Sequence, residues 1–248
     1  MTYERQRAVE SYGWTSVPAS LSDLIQSSPS ASNPSSALKL SDLPFPTSPL
    51  VKSVQEYARA ELPQETFHHS MRVYHYGVAI LIHVFPNWTS IDASSSKFLE
   101  SYALTALLHD IGTVPRHLQE TLMSFDIYGG FIADGVLRDA GAVREQRELV
   151  VEGIIRHQDL GEVGTQTRLG GLVQLATVFD NMGDNAQLVH EGTIENVVRE
   201  WPRLGWSKCF SHTIEQENAL KPWAHSTHLG VRDFPDGVRG NKLMEKWD

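Results

Sequence analysis

The chain has a single cysteine, Cys209, in 248 residues. It can form no intrachain disulfide, and no cysteine metal cluster can be assembled from it. No stretch approaches the roughly 18 consecutive apolar residues of a membrane-spanning helix, which argues against a membrane partner. The opening MTYERQRAVESYGW carries charges where a secretory signal needs an apolar stretch, so it does not read as one. Positive charge is scarce: 21 Lys and Arg stand against 30 Asp and Glu, a formal net charge of −9. With no run of basic residues to offset it, a nucleic-acid backbone is an improbable partner. What is present is globular, since 41% hydrophobic and 21% charged residues suffice for one large core or two small ones. These features together point to a soluble cytoplasmic protein.

Composition divides the chain into an N-terminal lead, 1–49, and a helical domain with a C-terminal tail, 50–248. Within the lead, 12–18 (YGWTSVP) suggests an ordered, non-helical run. Residues 27–49 are rich in Ser and Pro; proline fixes φ and removes an amide donor, so an extended segment strapped over the body and pinned by Leu43 and Phe45 is expected. From Leu50 onward helical periodicity dominates and convincing strands are absent. Leu50, Val54, Tyr57 and Ala58 share a face. Further helices are expected over 63–85, opened by Pro63, and over 97–110, 126–140, 143–157 and 169–182. Gly141 is a natural stop for the third of these. A short helix near 194–201 ends at Pro202, and the last forty residues read as an ordered, irregular tail. The overall expectation is all-α.

The polar residues on these helices carry the chemistry. His69 shares a face with Val73, Tyr76 and Ile80, and His109 with Tyr102 and Ala106. Asp110 lies with Leu99, Ala103 and Ala106, and Asp180 continues the stripe of Leu169, Leu172, Val173 and Ala176. Each has an ordinary alternative: a core histidine bonded to a carbonyl, a turn-capping aspartate, a helix-end pair. On separate apolar helices, however, two imidazoles and two carboxylates point to one interior. A buried carboxylate without a partner costs several kcal/mol or becomes neutral. A divalent cation satisfies all four, and the donor types suit Zn²⁺, with Fe²⁺ or Mn²⁺ also compatible. His68 points about 100° away from His69 on a helix and is not counted as a ligand.

The order His69, His109-Asp110, Asp180, with Leu107-Leu108-His109-Asp110-Ile111-Gly112 at its centre, resembles the H…HD…D signature of the HD superfamily. That resemblance implies an all-α bundle with a metal between its helices. A narrower resemblance spans nearly the whole chain. The blocks Gly13-Trp14-Thr15-Ser16-Val17-Pro18, His69-Ser70-Met71-Arg72-Val73, 123–130 (MSFDIYGG), Ile154-Ile155-Arg156-His157, 175–181 (LATVFDN) and 221–228 (KPWAHSTH) are similar to the fungal cyanamide hydratases. The departures are the Ser/Pro-rich lead, residues 184–200 and Ala224.

The resemblance implies a hydro-lyase that adds water, activated by the metal, to the nitrile carbon of cyanamide, giving urea with no organic cofactor. Its expected metal ligands are His69, His109, Asp110 and Asp180. The expected catalytic residues are Asp110, whose second oxygen can hold a proton, His157, which can bond substrate or shuttle protons, and Thr113, which can position water or a substrate amine. Some HD phosphohydrolases carry Glu at the position of Thr113, so the threonine counts against the alternative of a phosphohydrolase acting on a nucleotide or other phosphate ester. That alternative would also need cationic contacts, for which Arg72 and Arg156 are the candidates. A different small nitrile, or a binding protein without activity, are the remaining alternatives. The 123–130 block is expected as a pocket wall, with Gly129-Gly130 permitting close helix approach. His225 and His228 sit in irregular chain and are not expected to form a second metal site. Trp201, Trp206 and Trp223 suit either packing within the chain or a homo-oligomer interface.

Overall fold

A computed structural model describes residues 3–28, 34–88 and 96–248. Three buried helices form its centre: α4 (Gln64–His83), α5 (Lys97–Leu108) and α9 (Arg168–Met182). Most residues of each are buried, as in helices enclosed on every side, and α4 encloses His69, Arg72 and His75 with its apolar residues. The first two helices in the chain, α1 (Tyr3–Tyr12) and α2 (Leu21–Gln26), lie outside that centre, with α3 (Pro49–Glu61) leading into it. After α5 come α6 (Pro115–Glu120), α7 (Phe125–Asp139) and α8 (Arg144–Ile155). After α9 come α10 (Glu191–Glu200), α11 (Trp206–Leu220) and α12 (Asp233–Arg239). No described helix is long and apolar enough to cross a membrane.

Helix ends follow local chemistry. The hydroxyls of Ser48, Ser96 and Thr167 accept from the amides of Val51, Leu99 and Gly170, capping α3, α5 and α9. Gly183, at φ 75°, closes α9 in the left-handed region where a side chain is strained. Gly130 lets α7 approach α8 closely, as its Cβ would lie 2.5 Å from Ile155 Cγ1. This is the approach expected of the Gly129-Gly130 pair.

The all-α reading holds, and the structure adds detail at both ends of the chain. The lead contains α1 and α2, and Ser16–Pro18 pairs antiparallel with Thr165–Thr167 as a two-stranded ladder, β1 and β2. Three-residue strands are too short for an alternating pattern to reveal. The 34–48 part of the Ser/Pro-rich segment does strap the body. Leu43 is buried in the main core, and Tyr74 donates its hydroxyl to the Pro44 carbonyl at 2.7 Å under the edge of Phe45. Residues 29–33 of that segment fall outside the described residues. Toward the C terminus, α11 replaces part of the expected irregular tail. Its Trp206, Phe210 and Ile214, four residues apart, bury one face together with Phe125, Phe234 and Val238.

Candidate metal centre

His69 occupies the middle of α4, whereas His109 and Asp110 sit where α5 gives out. The helix stops at Leu108, two residues short of the sequence expectation, and Asp110, at φ −101° and ψ 13°, opens a 3₁₀ turn over Ile111–Thr113. Leaving the helix at this point turns both side chains toward α4. Gly112 packs so tightly on α7 that a Cβ there would lie 2.0 Å from the Phe125 carbonyl oxygen. His69, His109 and Asp110 are all but inaccessible to solvent. Their inward atoms converge: His69 Nε2 is 3.2 Å from His109 Nε2 and 3.6 Å from Asp110 Oδ2, and His109 Nε2 is 3.3 Å from that same oxygen. Among the described residues this is the one group of three or more such side chains whose donor atoms lie within 4.8 Å of one another.

The far side of each imidazole decides what its near side offers. His69 Nδ1 donates to Asp180 Oδ2 at 2.6 Å and His109 Nδ1 to the Ala106 carbonyl at 2.9 Å. With Nδ1 committed, the Nε2 lone pair of each ring is the atom facing the centre, the arrangement that metal-binding histidines adopt. Burial holds the His69 pKa down to about 4 against the pull of Asp180 and Asp110, so this ring is neutral at physiological pH. Asp110 is held well below the usual carboxylate range: burial opposes its charge, but His109, followed by His69 and His157, outweighs it. His109 is shifted upward because Asp110 and the Ala106 carbonyl overcome its own burial. Both Asp110 oxygens are buried without a hydrogen-bond donor, a costly state for an ionised group. Two neutral-capable imidazoles and a carboxylate short of partners fit a divalent cation.

Asp180 is satisfied in a different way. Its carboxylate accepts from Arg72 Nε at 3.1 Å, Arg72 Nη2 at 3.0 Å and Arg203 Nη1 at 2.7 Å, besides His69. Burial opposes its ionisation, yet the two arginines and His69 hold its pKa far below normal. Asp180 thus adjoins the group of three through His69 without joining it. Arg203 lies before α11, and nothing in its local sequence marks it as part of a centre 134 positions away from His69 along the chain. Arg72, one turn after His69, is fully buried by this pairing and has no arm free for a phosphate. Trp206 stacks on the His69 ring at 4.2 Å between centroids, a contact not foreseen from the sequence.

His157 follows α8, with Nδ1 donating to the Ile154 carbonyl at 2.6 Å and Nε2 3.8 Å from Asp110 Oδ1. Burial, then the neighbouring His109, lowers its pKa. Thr113 donates its hydroxyl to the Asp110 carbonyl at 2.7 Å and lines a cavity of about 450 Å³. His68 turns away to the Pro202 carbonyl at 2.9 Å, as expected. His225 is spent in bridging Asp126 at 2.5 Å and Asp159 at 3.0 Å, while His228 stacks beside it. Among the tryptophans, Trp206 is buried, Trp201 half-buried and Trp223 exposed. Arg156 is held by Glu152 and Asp159.

The helical fold and its His-His-Asp group define a metal-dependent HD domain, and the HD domain family model matches residues 66–182. The chain is 40% identical over 189 residues to two Saccharomyces cerevisiae (strain ATCC 204508 / S288c) proteins, cyanamide hydratase DDI2 and cyanamide hydratase DDI3. In each case the match covers 76% of this chain and 81% of the relative. The chain belongs to the cyanamide hydratase family of HD-domain proteins.

Proposed function

We propose that this protein is a metal-dependent hydro-lyase that hydrates cyanamide to urea. The observation that carries the reading is the buried triad of His69, His109 and Asp110, in a chain related over most of its length to cyanamide hydratases. His69 Nε2, His109 Nε2 and a carboxylate oxygen of Asp110 are the direct donors. Asp180 is proposed as the fourth residue that would hold the ion, and it also orients His69 through Nδ1. The donor set favours Zn²⁺, with Fe²⁺ and Mn²⁺ compatible. Such an ion supplies Lewis acidity and water activated at neutral pH.

The protein's own residues handle position and protons. Water oxygen bonds to the nitrile carbon, one water proton passes to the terminal nitrogen, and the resulting isourea tautomerises to urea. No proton is gained or lost overall, so the transfer needs a group that takes a proton and returns it. Asp110 has an oxygen directed to His157, and His157, kept neutral by burial, offers Nε2 3.8 Å away. That pair suits the transfer. Thr113 braces Asp110 from its backbone side. Exclusion of bulk water follows from the near-complete burial of His69, His109, Asp110 and His157.

A phosphohydrolase would need cations at the site, and Arg72 and Arg156 are both engaged by carboxylates. We place the enzyme in the cytoplasm, without nucleic-acid or membrane partners; a homo-oligomer is compatible with exposed Trp223. Offering cyanamide and a panel of phosphate monoesters to the purified protein tests the reading. Urea without phosphate release is expected; phosphate without urea would reverse the assignment.

A further inference from the structure

Glu217, on α11, is a fully buried carboxylate that takes no part in the proton transfer described above. Burial pushes its pKa up, against the pull of Ser226, the Phe125 amide and Lys221. A group so costly to enclose stays where its hydrogen bonds are needed. Those bonds point to the start of α7. Oε1 accepts from the Phe125 amide at 2.7 Å, and Oε2 accepts from the Ser226 hydroxyl at 2.9 Å.

The start of α7 has no cap of its own. Ser124 stands at the N-cap position, but its hydroxyl accepts from the His225 amide at 2.7 Å and from no amide of its helix. Glu217 takes over that task from another helix by satisfying the first helical amide. The residues just before are held from the same side. Lys221 Nζ donates to the Met123 carbonyl and Trp223 Nε1 to the Leu122 carbonyl, each at 2.8 Å.

What this run holds borders the chemistry. The Phe125 ring lies 5.7 Å from the His157 ring between centroids. The Phe125 carbonyl presses on Gly112, two residues after Asp110, so closely that a Cβ there would lie 2.0 Å from its oxygen. Phe125 therefore touches His157 and the turn that carries Asp110, the two residues whose 3.8 Å separation the proposed proton transfer must cross. A misplacement of about 1 Å can cost roughly 10²-fold in rate.

We propose that Glu217 is a positioning residue: by holding the Phe125 amide it fixes the ring against which His157 is set, and with it the placing of His157 beside Asp110. The proposal rests on the hydratase reading and adds to it a residue that touches neither metal nor substrate. It also gives the 221–228 block a task, since Lys221, Trp223, His225 and Ser226 brace the same run or Glu217 itself.

The test follows urea formation from cyanamide by the metal-loaded protein. Glu217→Ala should lower kcat about 10–100-fold, with KM and metal content unchanged. Glu217→Gln, whose amide oxygen can still accept from the Phe125 amide, should restore most of that loss. Coupling separates positioning from mere support. In a His157→Ala background, Glu217→Ala should add no more than about a twofold loss, because the group it positions is gone. Hydrogen exchange at the Phe125 amide gives a readout independent of turnover: protection should fall in Glu217→Ala and persist in Glu217→Gln. Phe125→Leu keeps the backbone bond and removes the ring, so it should slow turnover only while His157 is present, and it decides the matter if Glu217→Ala does not fold. Wild-type kcat in either variant, losses that multiply with that of His157→Ala, or metal lost along with Glu217 would overturn the proposal and leave the hydratase reading intact. So would a Glu217→Gln as slow as Glu217→Ala, because the effect would then follow the charge and not the bond. Failure of the wild type to hydrate cyanamide would overturn both.

Discussion

The two sides of the metal centre contain the same residue type in opposite states. On the Asp180 side every oxygen is occupied: Arg72 and Arg203 grip the carboxylate, His69 donates to it, and Asn241 Nδ2 and Arg203 both reach its backbone carbonyl at 3.0 Å. On the Asp110 side both carboxylate oxygens lack a donor, though the group is as deeply buried and its pKa is likewise lowered. A buried charge stays in a fold only where something pays for its desolvation. For Asp180 the payment comes from the chain itself, drawn from α4, the segment before α11 and the residues after α12. For Asp110 the chain leaves part of it unmet, the opening proposed above for a cation. The first side is clamped by the chain, and the second is the side to which the proposed function assigns the chemistry.

The contrast breaks most sharply at the histidines. His109→Ala removes an inward Nε2 and leaves Asp110 with less positive charge, so metal and urea formation should be lost together. His157→Ala should keep the metal at about one per chain while slowing turnover by about 10²–10⁴-fold, the usual size of a general acid–base contribution. Metal analysis and urea assay on the same samples check both variants. Retention of full metal by His109→Ala would refute the coordination.

Next in size is the scaffold side. Arg203→Ala strands Asp180, and loss of one partner of a buried pair costs about 3–5 kcal/mol. Urea denaturation should show the loss in metal-free and metal-loaded protein alike. Stability within about 0.5 kcal/mol of wild type, the range of an ordinary surface change, would mean that the clamp is not structural. Asp180→Asn can still accept from His69 but lacks the charge. An orienting role predicts a fall of about 10–100-fold in metal affinity, and a ligand role a larger one, measured by competition with a chelator.

The convergence of His69, His109 and Asp110, with Asp180 beside them, was legible because these residues lie on or end strongly periodic helices. His69 and Asp180 each extend an apolar stripe, and His109-Asp110 end one. The clamp was not legible, since Arg203 reaches Asp180 only after the chain has passed through α10 and turned back. Arg72 at i+3 from His69 carried a signal but read equally well as a phosphate contact. The helix α11 was within reach, because Trp206, Phe210 and Ile214 keep a four-residue spacing. The surrounding His, Trp, Pro and Gly of the last forty residues masked it. The β1–β2 ladder joins segments some 150 positions apart, with three residues on each side, and no local pattern predicts such a pairing.

The smallest expected effect lies farthest from the centre. His225 bridges Asp126 and Asp159 and so pins the chain after α11 to α7 and to the loop after α8. Its hydrogen bond to Asp126 raises its pKa above the ordinary imidazole value despite partial burial. A raised folded-state pKa means that the stabilisation is fully present below about pH 6.5 and fades as pH rises through the raised value. The side chain is 30% exposed, so solvent screening keeps the effect small. His225→Gln should flatten the dependence of stability on pH just above that point and leave metal content unchanged. An identical pH profile for the variant would show that this bridge contributes nothing measurable.

The most direct test of the central claim is one titration. Purified protein is stripped of metal with a chelator and reloaded stepwise with Zn²⁺, and urea formation from cyanamide is followed at each step. The account predicts no turnover in the stripped protein and a linear rise that breaks at about one ion per chain, as expected for a single tight site. Undiminished urea formation by the stripped protein would contradict it.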